Sequence, residues 1–103
     1  MINRGEGYQA WAEYRCPNRD VQETLADGST LDVRVRLSPV GQTQAFVGLY
    51  ASDGSALFED YYPALPRETL SRALARLTLE ARSKAAYLYY ASRPNRRAGQ
   101  ASR

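Results

Sequence analysis

From Leu31 to Ser38 the chain alternates without a break, with Leu31, Val33, Val35 and Leu37 on one parity and Asp32, Arg34, Arg36 and Ser38 on the other. In an extended chain successive side chains leave opposite faces, so residues 30–38 are predicted to form a strand with one apolar and one polar face. Ala45, Val47, Leu49 and Ala51 alternate with Gln44, Phe46, Gly48 and Tyr50, where both parities carry apolar surface, and this predicts a central strand over 43–51. Residues 56–62 place Phe58 and Tyr62 on one face and Leu57, Glu59 and Tyr61 on the other. Val21 to Leu25 predicts a shorter strand over 21–25, and the run Tyr8, Ala10, Ala12, Tyr14, Cys16 predicts another over 8–16, ended by Pro17 and Asn18.

Turn chemistry separates these segments. Asp27-Gly28 and Asp53-Gly54 supply the positive φ that tight hairpins require, and Pro39, Gly41 and Gln42 mark the corner between them. The pairing of 43–51 with 56–62 follows most directly, because the intervening Ser52-Asp53-Gly54-Ser55 has hairpin length.

After Pro63 the period changes. Leu70, Leu74, Leu77, Ala81, Ala85 and Leu88 recur at steps of three and four, which is the period of a helix with one buried stripe. A helix is predicted over 67–92, with Pro66 in its first turn and Pro94 forbidding continuation. The pairs Glu68/Arg72, Arg76/Glu80 and Glu80/Lys84 are spaced for i,i+4 support. Residues 93–103, rich in Ser, Arg, Asn and Gly, are predicted to be a disordered basic tail. The expected architecture is α+β: an antiparallel β-meander of four to five strands, then one long C-terminal amphipathic helix packed on one face of the sheet, all within a single domain over 1–92.

Composition narrows the function classes. The 103 residues include no histidine and one cysteine, Cys16, so a transition-metal site would have to be built from carboxylates, and no metal or cofactor is expected. Without histidine, Ser38, Ser52 and Ser55 cannot join a Ser-His-Asp arrangement. Glu59 and Asp60 are neighbours on a strand and so face opposite ways. Glu23, Asp27 and Asp32 are expected as turn and surface residues around a hairpin. Gly5 and Gly7 have no strand before them and no helix after, which removes a phosphate-loop reading. Cys16 is expected on the inner face, buried and inert. No run approaches the roughly 18 apolar residues of a membrane span, and MINRGEGYQA lacks a signal-peptide core, so a cytoplasmic location without a membrane partner is expected.

Charge is divided along the chain. Residues 1–66 carry five basic side chains against nine acidic ones; residues 67–103 carry nine basic against Glu68 and Glu80 alone. A helix of 25 residues would be about 38 Å long, longer than the roughly 17–27 Å of its strands. Its overhanging end would carry Tyr87, Leu88, Tyr89 and Tyr90. The expectation is therefore a non-enzymatic interaction module, homodimeric through the C-terminal half of the helix or contacting another protein there. The alternative partner is nucleic acid, since arginine interleaved with tyrosine suits phosphate contact and base stacking. The candidate contact residues are Tyr87, Tyr89, Tyr90, Arg76, Arg82, Lys84, Arg93, Arg96 and Arg97. The order of strands followed by a helix resembles that of the small dimeric single-strand DNA-binding coactivators. The resemblance implies a basic sheet, from which this net-acidic strand region departs, so no residue roles are carried over.

Overall fold

A computed structural model describes residues 2–13 and 17–91, and for 90 and 91 the backbone only. Four strands, β1 (Arg19–Thr24), β2 (Thr30–Leu37), β3 (Thr43–Tyr50) and β4 (Ala56–Tyr62), pair antiparallel in the order β1-β2-β3-β4. A short helix α1 (Glu6–Trp11) precedes the sheet and a long helix α2 (Leu70–Ala91) follows it.

The three hairpins use one corner. Leu25, Ser38 and Ala51 each donate a backbone N–H at 2.8 Å to the carbonyl four residues on, at Ser29, Gln42 and Ser55. The residue before that acceptor is Gly28, Gly41 or Gly54, with φ of 88°, 82° and 95°. A left-handed glycine at this place closes a three-residue hairpin loop without steric cost. In the first and third corners Asp27 and Asp53 accept from both the backbone N–H and the hydroxyl of Ser29 and Ser55, which holds the turn locally.

The register gives the sheet two different faces. Leu31 opposite Leu49, Val33 opposite Val47 and Val35 opposite Ala45 form the apolar side. They are buried beneath Ala73, Leu77, Ala81 and Ala85 of α2, with Leu70, Leu74 and Leu88 packed around them. This is the stripe the period of the helix predicts. β3 is buried along its whole length and lies inside the sheet, as its two apolar parities require. It pairs with β4 as expected, with one irregularity between Leu49 and Tyr50.

The second face is covered by α1, and here the expected strand over 8–16 is corrected. Residues 6–11 are helical, and 14–16, including Cys16, lie outside the described residues. Tyr8 and Trp11, three residues apart, share the side of α1 that meets the sheet. Tyr8 stands edge-on to Phe46 at 5.3 Å, and Trp11 lies 6.4 Å from Phe46 and 6.1 Å from Tyr61. Burial of these rings outweighs the weak two-residue alternation of small side chains.

The start of α2 is also corrected. Leu65, Pro66, Arg67 and Glu68 form a turn, with the Glu68 N–H donating to the Leu65 carbonyl at 3.3 Å and Arg67 at φ 69°. Pro66 is thus the second residue of a turn and not part of a first helical turn, since both places suit its fixed φ. Thr69 begins the helix. Its Oγ1 accepts from the Arg72 N–H at 3.2 Å and its carbonyl from the Ala73 N–H at 2.9 Å. The predicted tail, 93–103, lies outside the described residues.

Candidate functional site

Among the described residues, two regions bring the candidate polar side chains together. The first lies between α1 and the sheet. Asp32 and Glu59 both flank Gly48 across neighbouring strands, on the face opposite α2. Asp32 is fully buried, which corrects its expected place at the surface. Arg4 Nη1 reaches its Oδ2 at 2.8 Å, and Arg34 Nε reaches its two oxygens at 3.1 and 3.2 Å. Arg4 also donates to the Tyr50 hydroxyl at 3.0 Å, and its guanidinium lies 4.1 Å from the centre of the Tyr8 ring.

Glu59 accepts from the Tyr50 hydroxyl, from the Gly5 N–H at 3.0 and 3.1 Å, and from the Tyr8 N–H at 3.0 Å. Gly5 has no side chain with which to cap α1, so a carboxylate from β4 supplies the cap. Burial opposes the charged form of Glu59. The bonds from Tyr50, Gly5 and Tyr8 and the charge of Arg4 outweigh it and hold this carboxyl below its ordinary range. Burial, then donation to Glu59, pushes the Tyr50 hydroxyl well above its ordinary value.

Beside this network Arg36, only 1% exposed, lies 3.8 Å over the Trp11 ring. It donates from Nε to Gln44 at 2.7 Å, and Gln44 donates in turn to the Pro63 carbonyl. Glu59 accepts hydrogen bonds that seat α1, while Asp32 is held between Arg4, just before that helix, and Arg34 of β2, so both carboxylates are engaged in holding the fold together. Among the described residues no three His, Cys, Asp or Glu side chains gather as a metal site, and no helix is long and apolar enough to cross a membrane.

The second region is the C-terminal half of α2 with the neighbouring β1–β2 corner. Of the candidate contact residues, Arg76, Arg82, Lys84, Tyr87 and Tyr89 have described side chains; those of Tyr90, Arg93, Arg96 and Arg97 lie outside the description. The three cations are engaged by carboxylates of the same chain. Arg82 meets Glu23 of β1 through two bonds at 2.7 and 2.9 Å, and Lys84 lies 3.5 Å from Asp60 of β4. Arg76 bonds Glu80 at 2.8 Å and Glu68 at 2.6 and 2.8 Å. Of the i,i+4 pairs expected in the helix, Arg76/Glu80 is present. Glu68 turns to Arg76, and Lys84 to the sheet.

The tyrosine cluster is divided. Tyr87 is 71% exposed, whereas Tyr89 is half-buried against a groove of about 300 Å³ lined by Leu25, Ala26, Asp27, Arg82, Ala85 and Tyr89. Leu79, Ser83 and Tyr87 fall four residues apart on one ridge of the outer face, all exposed, with Leu79 at 61%. No protein-family model, curated protein or solved structure matches the chain.

Proposed function

We propose that this protein is a non-enzymatic interaction module that pairs with a second copy of itself through the C-terminal half of α2. The observation that carries the reading is the Leu79, Ser83, Tyr87 ridge, which leaves two large side chains in water on the outer face of the helix. Ridges of this spacing interlock with their own copies when helices cross. A two-fold contact also brings like residues near like, so a self-pairing surface must not repel itself. Arg76, Arg82 and Lys84 flank the ridge, and each is neutralised within its own chain.

The test is the mass of the full chain by light scattering across a concentration series. A dimer is expected, converted to monomer by Leu79→Asp and by Tyr87→Asp. A monomeric mass at the highest concentration for the unaltered chain overturns the reading.

A further inference from the structure

The opposite end of α2 differs in charge. Among the described residues, Arg19, Arg67 and Arg72 make no ion pair, while Arg4, Arg34, Arg76, Arg82 and Lys84 all do. The three belong to β1, the turn before α2 and the first turn of α2. Arg19 Nη1 donates to Ser71 Oγ at 3.1 Å, which ties β1 to the first turn of α2 at the residue before Arg72. All three side chains are exposed. The nearby acids are committed elsewhere. Glu68 is held by Arg76 and feels Arg72 only at longer range, and Asp20 faces the other side of the sheet, opposite Arg34.

Arg67 adds an independent observation. Its φ of 69° falls in the left-handed region, at the turn position where glycine or asparagine sits without strain. The chain holds an arginine there instead, five residues before Arg72 and lining a hollow with Gly41, Gln42 and Thr43. Strained residues of this kind cluster where a side chain has a task.

We infer that Arg19, Arg67 and Arg72 form a contact surface for the phosphodiester backbone of a nucleic acid. Guanidinium groups match phosphate oxygens two bonds at a time, and three of them with no carboxylate to satisfy suit a run of neighbouring phosphates. Contacts to phosphate carry no sequence information, so the binding is expected to be independent of sequence. This surface lies at the other end of α2 from the pairing ridge and does not depend on it.

The test is fluorescence anisotropy of the full chain with a labelled single strand and a labelled duplex over a salt series. Three phosphate contacts give a log–log slope of about −2 for the single strand and about −2.7 for the duplex, a loss of roughly 15- to 40-fold between about 50 and 200 mM salt, to which other cations of the chain can only add. Arg19→Gln/Arg67→Gln/Arg72→Gln is expected to flatten each slope by about those amounts. The comparison variant, Arg76→Gln/Arg82→Gln/Lys84→Gln, removes the same charge from the carboxylate-paired cations and is expected to change the slope far less. Equal flattening by the two variants, or no binding by the unaltered chain at low ionic strength, overturns the inference.

Discussion

Glu59 stands on β4, yet its Oε1 accepts the backbone N–H of Tyr8, 51 residues earlier in the chain, at 3.0 Å. The same carboxylate accepts from Gly5 and from Tyr50, so three donors depend on it. Glu59→Ala strands them and is expected to cost about 1–3 kcal/mol, read as a lower urea midpoint and a shift of Trp11 emission toward that of exposed indole.

The acid side of the stability profile should carry the mark of this residue. Its folded pKa lies below the unfolded value, so the unfolded chain takes up the proton first. The stabilisation is complete above the unfolded carboxylate range and disappears as pH falls through the folded value. Denaturation midpoints measured from neutral to acid pH are expected to fall less steeply in Glu59→Gln than in the unaltered chain.

Gly7 tests whether helix propensity or packing governs α1. Alanine is the better helix former by about 1 kcal/mol. A Cβ at this position, however, would stand 2.7 Å from Glu59 Cβ and 3.3 Å from the strand backbone. The backbone cannot move aside as a side-chain tip can, so Gly7→Ala is expected to destabilise by about 1–3 kcal/mol in chemical denaturation.

Arg67→Gly should act in the other direction. Relief of the left-handed strain is worth about 1–2 kcal/mol, less the roughly 0.5–1 kcal/mol of added freedom in the unfolded chain. A small rise in the denaturation midpoint is expected, with a decline for Arg67→Val.

Arg36→Lys keeps the charge and loses the flat group over Trp11 together with the Nε donor to Gln44. The two cations are not equivalent at a stacked site. A loss of about 1–3 kcal/mol is expected, with altered near-ultraviolet dichroism from the indole.

The meander was legible because its signals are local. Strand parity at 30–38 and glycines at 28, 41 and 54 specify the strands and corners without reference to distant residues. The stripe on α2 was legible for the same reason. What the sequence reading missed depends on partners far along the chain. α1 has six residues and no cap of its own, so only Glu59, Phe46 and Tyr61 make it a helix. A Tyr8 and Trp11 pair three residues apart was the one available sign. The long-range ion pairs were hidden for the same reason: Arg82 and Lys84 join the helix to the sheet at Glu23 and Asp60, and no local spacing announces those partners. Arg72 was expected to pair with Glu68, and only the fold shows that Glu68 turns to Arg76 instead.

The evenly repeated hairpin corners have a consequence for how the molecule assembles. Every strand pairs with its neighbour in sequence, so the sheet closes only short loops and can zip from any corner at small entropic cost. The seating of α1 on β4 is different, because it must wait for residues more than fifty positions away. Amide exchange should therefore rank the molecule in layers. The inner strands β2 and β3 should exchange only when the whole domain opens, whereas α1 should lift and reseat many times within one such event.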